Sequence, residues 1–518
     1  MRIAVLGSGY VGLVCGACFA DLGHFVTCAD TNRGKIDRLK AGRIPIFEPG
    51  LDALVAENSK TGRLSFTADL TAAIRSADIV FLTVGTPPGP SGGADLTCAY
   101  QCARTIATHM QGFTIIVTKS TVPLGTGEEL EAIVRTERPD GDFSIVSNPE
   151  FLREGAAIHD FKHPDRIVIG VEDDRARQVM AELYRPLQEA NVPILFTTRR
   201  TAELIKYAAN SFLATKIAFM GEIADLCESS GADVQEVALG IGLDQRIGPK
   251  FLQAGPGYGG SCFPKDALAL VETGRQLRTP LRIVETVIEV NEARKHSMVD
   301  KIVESCGGTV RNKRLAVLGL TFKPNTDDVR EAPSLTIVPA LQARGARVCV
   351  YDPAGMTQVG KFLPGLLTAK TPYACIRRAD AIVILTEWDL FKRLDLDRIK
   401  RSVRRAVMID LRNIFQPADM WRRGFNYFCI GRPHQDRDNL SPSEAASMAV
   451  AHAAVPPGRR RGAERKPEYS NGSARLPDRT HIKDLGRGLD NSTNGSKTRR
   501  APWNSVLRAG DPHVPKIS

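Results

Sequence analysis

Cys262 has the sequence surroundings best suited to covalent chemistry. It lies in Gly255-Pro-Gly-Tyr-Gly-Gly-Ser-Cys262-Phe-Pro-Lys265-Asp266, with four glycines in its first six residues. Glycines this dense let a backbone approach a ligand closely. A cysteine in such a loop is not a packing residue by default. Lys265 could lower its pKa by charge, and Asp266 could order a water. Two other segments hold polar groups in unusual places. Asn148-Pro-Glu150-Phe-Leu-Arg-Glu154-Gly155 has two acids four apart, and Glu203-Leu-Ile-Lys206-Tyr-Ala-Ala-Asn210 puts Lys206 and Asn210 on one helix face. A lysine among apolar neighbours can be functional; the plainer reading is a solvated face or local ion pair. Cys15, Cys18, Cys28 and Cys227 read as inert small hydrophobes. Cys15-x-x-Cys18 has no second pair, so no metal site is expected.

A second constellation binds rather than reacts. Gly7-x-Gly9-x-x-Gly12 stands between a strand-like and a helix-like run. The first glycine allows a tight turn, the second lets backbone approach a pyrophosphate, and the third permits close helix packing. Asp30 lies 23 residues after Gly7, at the end of the next strand-like run, where an acid holds ribose hydroxyls. An acid there repels a 2′-phosphate, so NAD is expected rather than NADP. Lys35 could lie near the adenosine end.

The elements that must position these residues follow from apolar patterning. Strands are expected at 2–6, 25–29, 79–83, 114–118, 143–145 and 167–169, alternating with helical stretches such as 11–22. That alternation predicts a parallel sheet with helices on both faces. From Arg200 to about Ser305 long helical stretches dominate, at 202–231 and 281–303. Then the opening theme returns. Lys313-Arg-Leu-Ala-Val-Leu-Gly319 mirrors the first strand and glycine, and Val348-Cys-Val-Tyr-Asp352 mirrors the second strand with its acid. Strands at 381–385 and 406–410 complete the second sheet. The expected fold is α/β: two Rossmann-like parallel-sheet domains joined by a central helical region. Domains are expected at 1–199, 200–305 and 306–432, with a basic, disordered tail at 433–518.

Composition agrees with a globular chain. Of 518 residues, 43% are hydrophobic and 25% charged, with a formal net charge of +11. Collagen, coiled coil and general disorder are excluded. No run of about 18 apolar residues predicts a membrane helix. Met1 leads straight into a strand-like run, and the 11 cysteines are scattered, so a reducing cytoplasm is expected. The tail holds 15 Lys+Arg against 9 Asp+Glu and lacks an apolar period. It reads as solvated chain, and no nucleic-acid partner is expected. The basic balance of the body suits a substrate and a cofactor that both carry phosphates.

Taken together, the segments at 7–12, 84–87, 120–123, 148–155, 203–210, 257–266 and 319–328 resemble the UDP-glucose 6-dehydrogenase family, within the wider nucleotide-sugar dehydrogenases. They run in the family's order over about residues 1–430. The resemblance implies a four-electron oxidation of UDP-glucose in two NAD-dependent steps, alcohol to aldehyde to acid, supplying uronic acid for polysaccharide synthesis. It implies Cys262 as nucleophile, through a thiohemiacetal and a thioester. It implies Asp266, with Thr121 and a water, in proton transfer and hydrolysis. Lys206 would stabilise the oxyanion with Asn210 beside it, and Glu150 and Glu154 would lie at the centre. For NAD it implies Val11, Asp30, Lys35, Thr86, Thr121, Glu154, Lys265 and Arg330 beside the glycines. For the nucleotide-sugar it implies Phe151, Leu152, Arg153, Glu154, Lys206, Asn210, Gly259, Lys323 and the loop Phe251-Leu252-Gln253-Ala254-Gly255. Arg246 would reach a neighbouring subunit's substrate, since the family is built on a helix-mediated dimer.

Other readings stand beside this one. GDP-mannose or UDP-N-acetylmannosamine could be oxidised by the same route, since base and sugar choice rests on few contacts. A two-electron dehydrogenase would need no cysteine. A catalytically silent nucleotide-sugar binder would be favoured by loss of Cys262 or Lys206, and both are present.

Overall fold

The computed structural model describes residues 1–89 and 92–432, so the expectation for 433–518 lies outside the described residues. The first sheet is formed by β1 (Arg2–Leu6), β2 (Phe25–Ala29), β3 (Leu64–Thr67), β4 (Ile79–Leu82), β5 (Thr114–Thr118), β6 (Phe143–Ser147), β7 (Ile167–Gly170) and β8 (Ile194–Thr197), in the order β3-β2-β1-β4-β5-β6-β7-β8. The second is formed by β9 (Arg314–Leu318), β10 (Arg347–Tyr351), β11 (Leu367–Thr368), β12 (Ala381–Ile384), β13 (Val407–Asp410) and β14 (Asn426–Cys429), in the order β11-β10-β9-β12-β13-β14. In both, strand order reverses beside the first strand. Ligands bind at such a switch point, outside the carboxyl ends of the strands.

The central strands are apolar on both faces because both faces are covered. Ile79, Val80, Phe81 and Leu82 of β4 are all buried; odd and even residues belong to different core clusters, one on each side of the sheet. The second sheet is sandwiched in the same way. The helix Tyr10–Asp21 begins directly after Gly9 and buries nine residues.

One expectation is corrected in detail. β6 and β7 pair antiparallel through a single bridge, Ser147 to Gly170, in a sheet otherwise parallel. An antiparallel step needs no crossover. The chain between them therefore stays at the carboxyl edge, and that chain carries Glu150 and Glu154. β3, β8, β11 and β14 had no counterpart among the expected strands. They are short, and β3, β8 and β11 are partly exposed, which weakens an apolar signal.

Between the sheets lie Arg199–Ser230, Phe263–Gln276 and Arg282–Ser305. The first spans 32 residues. Thr198 caps its start by accepting the Thr201 N–H, and Gly231 ends it at φ +81. Its buried stripe includes Ala202, Lys206, Asn210, Ala214, Ala218 and Gly221, so most positions are small and backbones can approach. Gly221 keeps this approach close: a Cβ there would lie 2.9 Å from the Arg294 side chain of the third helix, which would have to shift. Leu204, Phe212, Phe219 and Leu226 of the same helix are exposed.

Candidate active site

The glycine loop has the shape of a dinucleotide cradle. Gly7 adopts φ +101, and a Cβ there would meet the Thr83 carbonyl at 2.9 Å. A Cβ on Gly12 would lie 1.9 Å from the Gly7 carbonyl, so only glycine allows helix and loop to close. Gly9 instead faces open space, and the buried Ser8 hydroxyl has no partner among the described residues. Asp30 accepts the Ser8 and Asn32 N–H groups at 2.9 Å each and the Lys35 amine at 2.6 Å. Burial works against its charge, but these donors hold the carboxyl below its usual range. These residues fit NAD: a cleared approach over Gly9 for the pyrophosphate and an ionised acid for the ribose. Val11 is half-buried in the helix's first turn. Thr86 donates to the Thr121 carbonyl at 2.9 Å, joining the loops after β4 and β5.

Cys262 stands at the N-cap position of the helix Phe263–Gln276 without a side-chain capping bond, and the N-terminus of that helix favours negative charge. Burial nevertheless pushes its thiol up to about 11; Glu150 and Asp266 add to that, and Lys206 opposes it. The charge assigned to Lys265 therefore belongs elsewhere. Lys265 is bound to Asp266 at 2.6 Å, and Lys206 is the cation that pulls on the thiol. Lys206 is 3% exposed. Its amine donates to the Glu150 carbonyl at 2.6 Å and to the Glu150 carboxylate at 3.1 Å. Burial opposes its charge, but Glu150, Cys262 and Asp266 together raise its pKa. Asn210, one turn along, donates to Asp266 at 2.6 Å. A thiol and a locked carboxylate from one segment and a held cation from the long helix thus meet, a set able to bind an oxyanion and move protons.

Glu150 and Glu154 do not act as a pair. Glu154 turns away to accept from Ser261 at 3.3 Å and from Thr326 at 2.8 Å, with Arg330 at 3.8 Å. Burial raises its pKa, Asp328 adds to this, and Thr326 and Arg330 oppose it. One side chain therefore ties the loop after β6 to the thiol loop and to the loop after β9. Arg330 itself is engaged by Asp328 at 2.7 Å. Lys323 is half-buried; burial lowers its pKa, against the pull of Glu154 and Cys262.

A cavity of about 440 Å³ is lined by Glu150, Phe151, Leu152, Arg153, Lys206, Asn210, Phe251 and Cys262. Phe251 sits at φ +66, a strained position for a bulky residue of the kind that clusters at ligand sites. Leu252, Gln253 and Ala254 line a separate cavity of about 320 Å³, together with Arg412. Gly255 packs against the Arg412 guanidinium, where a Cβ would lie at 3.0 Å; one on Gly259 would lie 2.3 Å from the Glu331 carbonyl. Thr121 lines a space of about 10 Å³ with Pro149 and Lys206. Arg246 is apart from all of these, paired with Asp244 at 2.6 Å and largely exposed.

Several residues at the site escaped sequence reasoning. Arg412 follows the buried acid Asp410 at the end of β13, the same strand-then-acid signal that marked Asp30. Lys119 directly follows five buried residues of β5, a signal that was available. Glu48 accepts the Gly155 and Ala157 N–H groups at 2.6 and 2.8 Å and bonds the Tyr10 hydroxyl. It thereby fastens the loop after β6 to the glycine loop, and nothing in its local sequence announces this.

An NAD-dependent oxidoreductase is the class that these sheets and loops define. Comparison with known proteins gives the particular lineage. The NAD binding, central and UDP binding domains of the UDP-glucose/GDP-mannose dehydrogenase family match residues 1–188, 200–293 and 316–417, and the chain belongs to that family. It is 58% identical over 436 residues to a UDP-glucose 6-dehydrogenase of Rhizobium meliloti (strain 1021), covering 84% of this chain and 100% of that protein. It is 47% identical to UDP-glucose 6-dehydrogenase TuaD of Bacillus subtilis (strain 168), covering 83% and 93%. Among solved structures it resembles a UDP-glucose dehydrogenase from Pyrobaculum islandicum, with a TM-score of 0.76, 40% identity and coverage of 82% and 96%. It also resembles a UDP-D-ManNAc dehydrogenase from Pyrococcus horikoshii, with a TM-score of 0.74, 27% identity and coverage of 84% and 100%.

Proposed function

We propose that this enzyme oxidises UDP-glucose to UDP-glucuronate in two steps on one active site, providing uronic acid for polysaccharide synthesis. The observation that carries the reading is the meeting of Cys262, Lys206 and Glu150 in one cavity. NAD, when bound over Gly9 and Asp30, accepts the hydride of each oxidation. The chain's own residues do the rest. In the first oxidation the C6 hydroxyl gives its proton to the water held by Asp266 and Thr121 as its carbon gives up the hydride, leaving the aldehyde, and Lys206 and Asn210 donate hydrogen bonds toward the C6 oxygen as its charge develops. The Cys262 sulfur adds to the aldehyde carbon, and the carbonyl oxygen takes a proton, giving a thiohemiacetal. Loss of that proton and the hydride leaves a thioester. Water, oriented by Asp266 with Thr121, adds to the carbonyl and expels the sulfur, so Cys262 recovers its proton and the acid departs.

The division at 1–199, 200–305 and 306–432 belongs to the same reading: cofactor, helical connector, nucleotide-sugar. So does a dimer. Leu204, Phe212, Phe219 and Leu226 recur at spacings of eight, seven and seven along one helix and remain exposed, as do Leu239 and Leu243 nearby. A second copy covering this face would bring Arg246 to the partner's substrate. No helix among the described residues is long and apolar enough to cross a membrane. The free, scattered cysteines fit a reducing compartment, and on that ground we assign the enzyme to the cytoplasm.

The test is NADH formed per nucleotide-sugar consumed, with UDP-glucose, GDP-mannose and UDP-N-acetylmannosamine in parallel. Two NADH per UDP-glucose, with little turnover of the others, supports both chemistry and substrate. One NADH per sugar, or full turnover by Cys262→Ala, overturns the thioester route.

A further inference from the structure

Beneath the turn that bears Glu150 lies a buried amine without a role in the oxidation described above. Lys119 directly follows β5 and is 6% exposed. Its Nζ donates to Asn148 Oδ1 at 3.0 Å and to the Tyr184 hydroxyl at 3.3 Å. The Tyr184 hydroxyl donates to the same Oδ1 at 2.6 Å, and Asn148 Nδ2 donates to the Val168 carbonyl at 2.8 Å. Asn148 and Tyr184 are themselves buried. Among the described residues Lys119 has no ion-pair partner. A buried charge held by neutral groups alone costs stability, since water is lost with no opposite charge in contact. Such a group persists where it serves something other than folding.

Its position indicates what it serves. Lys119 joins the carboxyl ends of β5 and β6. Ser120-Thr121 leaves the sheet immediately after it, and Pro149-Glu150 leaves immediately after Asn148. The same side chain lines the cavity of Glu150, Lys206 and Cys262. The groups that face it are Cys15 from the helix Tyr10–Asp21, Glu150 from the loop after β6, Lys206 from the long helix, and Tyr184 beside it.

We propose that Lys119 is a positioning residue: its charged amine grips Asn148 and so fixes the turn carrying Glu150, and its charge supports the floor of the reaction cavity. The inference rests on the oxidation assigned to that cavity. Burial lowers the pKa of Lys119, with Cys15 and Glu150 opposing and Lys206 adding, whereas that of Lys206 is raised. Lys119 therefore loses its proton before Lys206 does. An alkaline fall of kcat is therefore expected, with an inflection below the ordinary lysine value of 10.5.

The experiment compares the full-length enzyme with Lys119→Met and Tyr184→Phe, using UDP-glucose and NAD. Lys119→Met keeps the side-chain length and leaves Asn148 its bond from Tyr184. Its kcat is expected to fall at least about tenfold, with both KM values within about twofold and an unchanged or higher Tm. The alkaline inflection should vanish. Tyr184→Phe removes one acceptor of the charged amine, so the inflection should move to lower pH. Near-normal kcat in Lys119→Met overturns the proposal. So does a fall in Tm together with a rise in both KM values and the inflection retained, which would mark a merely structural lysine. If Lys119→Met does not fold, Tyr184→Phe decides: an unmoved inflection overturns the proposal. A wild-type enzyme with no turnover overturns the oxidation and this inference with it; an active wild type beside an active Lys119→Met overturns the inference alone.

Discussion

Asn210 donates its side-chain amide to the fully buried carboxylate of Asp266 at 2.6 Å, joining the long helix Arg199–Ser230 to the helix that Cys262 begins. Lys265 takes the other oxygen of Asp266 at 2.6 Å. The carboxylate is thus locked on both sides, and Lys265 is engaged with it rather than with the thiol. The reactivity of Cys262 is then set by its burial and by Glu150 and Asp266, which raise its pKa, against Lys206, which lowers it.

That balance can be read by alkylation. With the thiol pushed up to about 11, only a small fraction is thiolate at neutral pH. The rate with iodoacetamide should climb about tenfold per pH unit and level off near that value. Lys206→Met should move the levelling point higher, because Lys206 is the cation that lowers it. An inflection near that of a free cysteine would contradict the assignment.

Lys206→Met should also cost stability. It breaks a buried pair and leaves Glu150 without its contact cation, a loss of about 3–5 kcal/mol. The pKa of Lys206 is raised in the fold, so its contribution is complete below the unfolded value of 10.5 and is lost as pH rises through the folded one. Urea unfolding should give a constant gap between wild type and variant at neutral pH, shrinking only at strongly alkaline pH.

Gly155→Ala should disrupt the seam between the two sheets' loops. Gly155 adopts φ +78, and a Cβ there would lie 2.2 Å from the Asn325 carbonyl. Strain and clash together should lower stability by about 2–4 kcal/mol. Differential scanning calorimetry would record the fall in Tm, and an unchanged Tm would contradict the close approach.

Asp30→Ser tests the cofactor choice. The acid that would hold the ribose disappears, and Lys35 is freed from its ion pair. The KM for NAD should rise about tenfold, and the ratio of NADP to NAD use should rise with it. Steady-state rates with both cofactors measure this directly.

Leu226→Glu tests the exposed stripe. A charge in an apolar interface should shift the mass measured by light scattering toward the monomer. If Arg246 serves the partner's site, turnover should fall with the mass. A monomeric, fully active variant would separate the stripe from the site.

Much of this was legible locally. The glycine loop, Asp30 at the end of β2 and the long central helices each announce themselves through steric or periodic rules acting over a few residues. The repeat of strand, glycine and acid at Lys313–Gly319 and Asp352 did the same for the second sheet. The antiparallel step between β6 and β7 was not legible, because a short apolar run does not reveal its direction.

Residue types and spacings by themselves determined the two sheets, the dinucleotide cradle and the candidacy of Cys262, since backbone freedom and apolar period are properties of neighbouring residues. Which cation faces the thiol, where Glu154 turns, and that Lys119 lies beneath Glu150 were decided only by tertiary structure. Each depends on side chains 29 to 172 positions apart meeting in a largely buried space, as in the bonds of Lys119 to Asn148 and Thr326 to Glu154. There charge and hydrogen bonding act over a few ångströms, whatever the distance along the chain.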